Sequence, residues 1–459
     1  MKPTIALPQA LALTILGTAL AAQDAVLVIR DVNVIPMDSA RVIPRQTIVI
    51  SGGTIVRMGP TPETPVPAGS VVIEGAQRFL MPGLMDLHVH VEHEYELPLY
   101  VANGVTTVLN TKGRPWHLAL KRLEPRLDRL TPRVFSCGPY IRDLATPAEA
   151  MAAVREHLQS GFDCLKIKGD WSGDAYRALI DEAAANGVFV YGHAPRNQPF
   201  GLVLAGGYQA IAHLEELVYT TALDSLIDEA RGHDGPLETV VLPPWARHAA
   251  DSLAAAVAET GIWITPTQIV IDIYRQRATG ASPEVLDEEY VKYIDPESRL
   301  RWAAAIPPRG AQRFAVQAQL QQYMLGALRS AGANLALGTD SEVASSNLMT
   351  VPGWAAHQEL RLMVRAGLSP FEALATATRD AARFLGRGDT DGVVQRGRTA
   401  DLILLRENPL DRIENAQKID GVVVNGLWFS RALLDQALTT IADEHQRTSA
   451  NTRPPESHQ

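Results

Sequence analysis

The chain has 459 residues, about three times a typical domain of roughly 150 residues, so it must form a large barrel or several domains. Its 42 Lys and Arg against 51 Asp and Glu give a net charge of −9 without long charged runs, which argues against the basic face of a nucleic-acid-binding protein. With 46% hydrophobic and 20% charged residues, the composition excludes a disordered or fibrous chain.

The first 22 residues have the pattern of a secretory signal peptide. Lys2 precedes a largely apolar run from Ile5 to Leu20, and Ala19-Leu20-Ala21 supplies small residues for cleavage. We therefore expect an exported protein, periplasmic or extracellular, although a cytosolic extension is the alternative. No later run is long and apolar enough to predict a stable membrane span in the mature form.

Two cysteines, Cys137 and Cys164, are the complete set. This number excludes a disulfide-rich scaffold and a thiolate zinc cluster. Both cysteines lie in predicted buried strands, and the sequence leaves open whether they pair.

Short β-branched runs separated by Gly and Pro occur at both ends of the chain. They cover residues 23–80 and 390–435, and Gly52-Gly53 between two alternating runs indicates a hairpin. We expect these two segments to form one small β-sandwich domain. Residues 445–459 are interpreted as a polar tail.

The middle of the chain, residues 81–389, alternates short apolar runs with helix-like segments, which is typical of an α/β fold. Eight such runs favour a parallel (β/α)8 TIM-like barrel, and no Gly-rich phosphate turn supports a doubly wound sheet. In a barrel of this kind, the chemistry lies at the C-terminal ends of the strands. The runs are 83–90, 104–110, 133–138, 162–168, 187–193, 209–213, 261–267 and 333–340.

Helical segments and long connections complete the barrel. Residues 313–331 are predicted to form a barrel helix, and residues 371–386 another that begins after Ser369-Pro370. The connections 218–260 and 271–332 are long enough to form lids or pocket walls.

Polar residues suited to metal binding stand at the ends of several predicted strands. His88 and His90 are two residues apart, so a strand places both imidazoles on one face. His193, His213 and Asp340 end three further strands. Imidazole and carboxylate ligands without a thiolate are typical of a catalytic site for zinc or a similar ion.

Three segments carry a resemblance to a known family. Residues 82–90, Pro-Gly-Leu-Met-Asp-Leu-His-Val-His, followed by Gly-Val-Thr-Thr at 104–107, resemble the opening signature of the metal-dependent amidohydrolase superfamily. Leu-Gly-Thr-Asp-Ser at 337–341 resembles its strand-eight signature, and residues 385–410 resemble its return into the β domain. The pattern is similar to the imidazolonepropionase and prolidase-like branch.

In family members with two ions, a carboxylated lysine at the end of strand four bridges the metals. Lys166 matches the Asp-x-x-Lys pattern of that strand. Lys168 has the same strand parity and remains the alternative. The resemblance thus implies a cofactor of two divalent ions, of which zinc is expected, with Lys166 as the bridge.

The resemblance also implies a role for each remaining ligand. His88, His90 and Asp340 would bind the more buried ion, and His193 and His213 the second ion. A hydroxide between the ions would attack the scissile carbonyl, and Asp340 would pass its proton to the leaving nitrogen.

Substrate contacts are expected from the loops beyond the metal ligands. Arg196, Tyr219 and Tyr140 follow strand ends closely, and an Arg or Tyr fits a free carboxylate. Glu215 and Glu216 could be read as a deaminase-type acid, but we interpret them as loop charges.

Together these patterns predict an exported, binuclear metal-dependent hydrolase of C–N bonds. Its substrate would be a small amide or an Xaa-Pro-like dipeptide, with no nucleic-acid partner and a possible homo-oligomer. Hydrolysis of a cyclic amide, as in imidazolonepropionase-like relatives, or of a phosphotriester is the alternative. A noncatalytic barrel that only binds a ligand is another.

Overall fold

A computed structural model describes residues 26–452, apart from 222, 231–240, 281, 284–285, 287, 306–309 and 346–347. The predicted signal peptide lies outside the described residues. Among the residues that are described, no helix combines the length and the apolar character needed to cross a bilayer.

Strands from both ends of the chain belong to one eight-stranded sheet. The strands are β1 (Leu27–Val34), β2 (Ile43–Ser51), β3 (Thr54–Pro60), β4 (Val71–Glu74), β5 (Phe79–Pro82), β15 (Leu402–Leu405), β16 (Ile419–Val424) and β17 (Leu427–Ser430). Their hydrogen-bonded order is β17-β16-β15-β5-β1-β2-β3, with β4 paired to β1. Leu80 of β5 pairs with Leu404 of β15, which joins the two terminal segments. This pairing does not establish a sandwich, which stays a prediction.

The predicted hairpin is present between β2 and β3. Gly52 and Gly53 occupy the turn with φ of 55° and 71°, values that side chains with a Cβ rarely adopt. Ser51 and Thr54 form the last pair of the antiparallel ladder.

A second, nine-stranded sheet runs through the middle of the chain. Its strands are β6 (Leu84–His90), β7 (Val105–Asn110), β8 (Arg133–Arg142), β9 (Cys164–Lys168), β10 (Val190–Gly192), β11 (Ala210–Ala212), β12 (Trp263–Thr265), β13 (Asn334–Leu335) and β14 (Ser341–Glu342). Strands β6 to β13 pair in parallel in chain order, and β14 pairs in parallel with β6. The fold is therefore α/β with a curled parallel sheet, consistent with a TIM-like barrel.

The predicted eighth strand is split into two short pieces that lie at opposite ends of this sheet. Asn334 and Leu335 pair with β12, whereas Ser341 and Glu342 pair with β6. Between them, the Asp340 amide donates to the His88 carbonyl. The segment 334–342 thus contacts both the last and the first strand, which brings Asp340 beside the end of β6.

Helices surround this sheet and follow its strands. Apolar residues of the helices and of the outward strand faces form the largest core cluster, which includes Leu165, Ile167, Val190 and Ile211. The helices of the first half are α1 (Leu97–Ala102), α2 (His117–Leu120), α3 (Pro147–Ser160), α4 (Gly173–Ala185), α5 (Phe200–Ala205), α6 (Glu215–Val218), α7 (Leu223–Ala230) and α8 (Pro244–Thr260). Those of the second half are α9 (Gln268–Ala278), α10 (Glu288–Val291), α11 (Pro296–Ala304), α12 (Ala311–Ala331), α13 (Trp354–Arg365), α14 (Pro370–Thr376), α15 (Arg379–Phe384) and α16 (Arg431–Thr452).

The predicted helix over 371–386 was wrong in one respect, because it is two helices, α14 and α15. Ser369 caps α14 in a reciprocal arrangement with Glu372, as the Ser-Pro start indicated. The carbonyls of Thr376 and Ala377 accept hydrogen bonds from Leu337 and Met85 of the barrel. Because these two carbonyls accept hydrogen bonds from the barrel, the helix is interrupted at this point.

The predicted polar tail from residue 445 begins inside α16. His445 is buried there, with its ring edge-on to Tyr95 at a centroid distance of 4.7 Å. Residues 453–459 lie outside the described part of the chain.

Candidate metal centre

Three predicted ligands meet at the ends of β6 and the split eighth strand. Nε2 of His90 lies 2.8 Å and Nε2 of His88 lies 3.3 Å from Oδ1 of Asp340. Each of the three residues offers a ligand atom, and these atoms lie within 4.8 Å of one another. The three side chains could hold one metal ion between them.

Lys166 lies in the same cluster. Its Nζ is 3.2 Å from Nε2 of His88, and the residue is fully buried. Lys168, two residues further along β9, is only partly buried, and its Nζ lies 5.4 Å from the centre of the Tyr140 ring. Of the two lysines that the sequence left open, the structure brings Lys166 against the histidines.

The other two predicted ligands continue the cluster on the opposite side. The ring of His213 lies 4.6 Å from that of His88 and 4.5 Å from that of His193, centre to centre. We call His88, His90, Lys166, His193, His213 and Asp340 together the metal-ligand cluster. The structure brings all six predicted ligands to the C-terminal end of the barrel strands.

Hydrogen bonds to Nδ1 orient the four histidines, and the longest of them joins His90 to Oγ1 of Thr111 at 3.5 Å. Nδ1 of His88 lies 2.7 Å from the Tyr191 hydroxyl, and Nδ1 of His213 lies 2.9 Å from Oγ1 of Thr267. Nδ1 of His193 lies 2.8 Å from Oε1 of Glu216. A protein partner on Nδ1 leaves Nε2 for a metal ion, which is the usual arrangement around metal-binding histidines.

A buried carboxylate behind the cluster positions the two strands that carry it. Asp86 accepts hydrogen bonds from the His88 amide at 3.3 Å, from the Thr339 amide at 3.1 Å and from the Thr339 hydroxyl at 2.7 Å. Burial raises the pKa of Asp86 to about 7, although these hydrogen bonds act to lower it. Asp86 therefore links β6 to the segment that presents Asp340.

Three residues at the site have a left-handed backbone. The φ values of His213, Thr267 and Asp340 are 69°, 50° and 56°. Such values are uncommon outside glycine, and unusual above all for a β-branched threonine. Strained backbone of this kind clusters at functional sites, where the surrounding structure must hold it.

Close packing also requires glycine next to Asp340. A Cβ at Gly338 would lie 2.7 Å from Cβ of His88. Any side chain at this position would push the strand that carries His88 away from Asp340.

Burial and charge make the cluster suited to a cation. Burial favours the uncharged form of His88 and of His213 and holds the pKa of each well below its usual range. Burial opposes ionisation of Asp340, but interaction with these histidines holds the pKa of its carboxyl well below the usual range. The pKa of Lys166 falls to about 7, chiefly because of burial.

The donor set fits a divalent metal ion. Oδ1 of Asp340 is buried and faces Nε2 of His88 and of His90, but in the described part of the chain it accepts no well-directed hydrogen bond. Neutral imidazoles and one carboxylate are the ligands that zinc and similar ions accept. An orphaned carboxylate oxygen facing two imidazole nitrogens is what a metal ion would satisfy.

The predicted substrate residues lie in two places. The ring of Tyr140 is edge-on to that of His90, 6.4 Å between centres, so Tyr140 adjoins the cluster. Arg196 stacks 3.9 Å from the centre of the Tyr219 ring, and its Nε lies 3.0 Å from Oε2 of Glu216. The guanidinium of Arg196 is therefore already hydrogen-bonded to a carboxylate, and its role in binding substrate stays a prediction.

Glu216 is not the exposed loop charge that the sequence predicts. Its carboxylate is buried and joins His193 to Arg196. Its pKa is lowered because the hydrogen bonds from those two residues outweigh the effect of burial. Its position directly after a metal-capable histidine was the available signal.

The two cysteines, whose pairing the sequence left open, form a disulfide between β8 and β9. Both are buried, in an apolar cluster that includes Leu87 and Tyr191. Cys137 and Cys164 are a cross-strand pair, and Tyr140 and Lys166 are the next pair after a bulge in β8. The disulfide thus lies directly below Lys166 on the same strand.

A family model for the amidohydrolase family matches residues 79–428. The imidazolonepropionase of Brucella anthropi is 25% identical over 417 residues, which cover 84% of this chain and 92% of that protein. The crystal structure of a Xaa-Pro dipeptidase with bound methionine in the active site is similar at 19% identity, with a TM-score of 0.63 over 88% of this chain and all of that chain. Bottromycin amidohydrolase is similar at 22% identity, with a TM-score of 0.69 over 91% of this chain and 90% of that chain.

Proposed function

This chain belongs to the amidohydrolase family and is a hydrolase of carbon–nitrogen bonds, and we propose that it is an exported enzyme that uses two divalent ions to cleave small amides. The proposed substrates are dipeptides, Xaa-Pro-like dipeptides among them, and N-acyl amino acids. The observation that carries the proposal is the convergence of four histidines, Asp340 and a fully buried lysine in one cluster.

The buried lysine supports two ions rather than one. An ammonium in contact with His88 would repel a nearby cation, whereas Lys166 has a pKa lowered to about 7 and can be uncharged. The neutral amine can attack carbon dioxide, forming an N–C bond and releasing one proton. The resulting carbamate is anionic and has two oxygens, which suits a bridge between two cations.

The cluster divides into two proposed sites. His88, His90 and Asp340 would hold one ion, and His193 and His213 the other, with Lys166 between them. When bound, such ions lower the pKa of water and polarise a carbonyl. Asp340 would accept the proton of the attacking water and donate it to the leaving nitrogen.

The disulfide supports export. Disulfides persist in oxidising compartments and are rare in the cytosol. Cys137 and Cys164 are joined in the structure, which agrees with the signal-like pattern of residues 1–22. N-terminal sequencing of protein recovered from the periplasm of a Gram-negative host is expected to begin at Ala22 or Gln23; an intact Met1 would contradict export.

Metal analysis and a substrate panel test the enzyme. We expect two equivalents of zinc per chain after reconstitution with zinc and bicarbonate, measured by plasma mass spectrometry. Less than one equivalent would contradict the two-ion site. A panel of dipeptides, N-acyl amino acids and lactams then tests the substrate class, and absence of hydrolysis of the first two groups would contradict it.

Hydrolysis of a cyclic amide is the second candidate. The similarity to imidazolonepropionase over 92% of that protein favours it. Lactam hydrolysis in the same panel, without hydrolysis of open-chain amides, would select this candidate.

A further inference from the structure

Among the described residues, two cations above the metal-ligand cluster form no ion pair with a carboxylate. Arg142 and Lys168 end strands β8 and β9 and are a cross-strand pair, two residues beyond the pair of Tyr140 and Lys166. We call Arg142 and Lys168 the outer pair. Partners in adjacent parallel strands point to the same face, so the outer pair lies two residues, or ~6.6 Å, further out than Tyr140 and Lys166.

Both cations face the ring of Tyr140. Nζ of Lys168 lies 5.4 Å and Cζ of Arg142 lies 5.7 Å from the ring centre. The ring of His90 is edge-on to that of Tyr140, with the ring centres 6.4 Å apart. Tyr140 therefore adjoins both the outer pair and the metal-ligand cluster.

No acid in the described part of the chain lies within ion-pair distance of either member of the outer pair. Neither residue makes an ion pair or a side-chain hydrogen bond there, whereas the third cation near Tyr140, Lys112, is paired with Glu342 at 3.1 Å. Glu215 is close enough to interact with Lys168 through its charge, but its ion pair is with Arg196, whose Nη2 lies 3.5 Å from Oε1 of Glu215. Two unpaired cations at the mouth of a site attract an anion.

We infer that Arg142 and Lys168 bind the free carboxylate of the substrate, so that the enzyme acts on amides of amino acids with an unblocked carboxyl group and disfavours neutral amides. This inference rests on the proposed function and narrows its substrate class. In such a substrate, three bonds separate the scissile carbonyl carbon from the carboxylate carbon. The outer pair lies on the same strand face as Lys166 and two residues further out, so its long side chains are placed to reach that carboxylate. Guanidinium and ammonium donors form strong, charge-assisted hydrogen bonds to a carboxylate.

A binding experiment tests this inference without catalysis. L-Proline and L-leucine are titrated into the metal-loaded enzyme by calorimetry, against pyrrolidine and isopentylamine, which lack the carboxylate. We expect the amino acids to bind at least tenfold more tightly than the amines. The variant Arg142→Gln/Lys168→Gln is expected to remove this difference and to retain its metal.

A matched control removes the same net charge elsewhere. Arg155 on α3 and Lys418 before β16 are paired with Glu182 and Glu407, away from the barrel mouth. The variant Arg155→Gln/Lys418→Gln is expected to keep the tenfold preference. No preference in the wild type, or a preference that the outer-pair variant retains, would overturn the inference.

Kinetics separate this inference from the proposed function. For the best dipeptide of the panel, the outer-pair variant is expected to raise KM by 10- to 100-fold with kcat within about threefold, and to leave KM for the C-terminal amide of that dipeptide within twofold. Equal changes for both substrates would overturn the inference while hydrolysis still supports the proposed function. If no dipeptide is cleaved, the proposed function fails, and the calorimetry still decides the carboxylate site.

Discussion

The metal-ligand cluster and the outer pair lie on the same strands, yet they differ in burial and in charge pairing. Lys166 is fully buried against His88, whereas Arg142 is exposed and Lys168 partly exposed, without an acidic partner in the described residues. Strand parity alone predicts neither difference. Along these strands, a distance of two residues separates a buried cluster suited to a metal ion from a solvent-exposed pair of cations suited to binding an anion.

The two lysines of β9 provide the largest expected effect. Lys166→Met is expected to abolish hydrolysis and to lose metal, because methionine fills the volume but cannot form a carbamate. Lys168→Met is expected to keep two equivalents of metal. Metal content by plasma mass spectrometry and kcat on the panel substrate check both variants, and the opposite result would move the bridge to Lys168.

Asp340→Asn is expected to lower kcat by about 10³-fold, within the range for removal of a general acid–base group. Asparagine tolerates the left-handed backbone of this position, where φ is 56°, so the fold is expected to survive. Steady-state kinetics and circular dichroism check the two expectations. A kcat within tenfold of the wild type would exclude Asp340 as the proton carrier.

Glu216→Gln is expected to weaken metal binding by 10- to 100-fold, as is usual when the partner of a ligating histidine is removed. The change removes the carboxylate that orients His193 and leaves the ligands themselves intact. Glu215→Gln is the matched control, because Glu215 contacts Arg196 but none of the described histidine rings. Competition with a chelator measures both, and equal affinities would mean that Glu216 has no positioning role.

A smaller effect concerns a buried histidine outside both regions. Nε2–H of His357 donates to the Asn103 carbonyl at 2.8 Å, and burial lowers the pKa of His357 to about 4. In the unfolded chain, the His357 imidazole takes up a proton near the ordinary histidine pKa of ~6.5, whereas in the folded chain it does so only near 4. Protonation therefore favours the unfolded chain, and the stability that neutral His357 gives above pH ~6.5 is lost as the pH falls toward 4. The free energy of unfolding of the His357→Gln variant is therefore expected to fall less than that of the wild type between pH 7 and pH 5.

Thermal unfolding of the metal-free proteins at both pH values measures that difference. Exposed His248 on α8 offers the control, since His248→Gln is expected to leave the pH dependence of Tm unchanged. If the His357 variant shows the same fall in Tm as the wild type, His357 does not contribute to acid unfolding.

Much of the barrel and its ligands could be predicted because the signals are local. His88 and His90 share a face through strand parity, and His193 and His213 directly follow short buried strands. The partners of these ligands could not be predicted in this way. Tyr191 and Thr267 touch His88 and His213 across 103 and 54 residues of chain, and nothing local in the sequence marks these contacts.

The sequence by itself determined the alternation of strands and helices, the positions of the metal-capable residues and the family. These follow from periodicity and from short motifs, which act over a few residues. Only the tertiary structure decided that Lys166 is the lysine buried against the histidines and that the two cysteines pair. It also decided that Glu216 is hydrogen-bonded to His193, and that the eighth strand splits to pair with both β12 and β6. Those outcomes depend on which distant segments contact each other. The burial and the charge pairing of a side chain are set by these contacts and not by the segment in which the side chain lies.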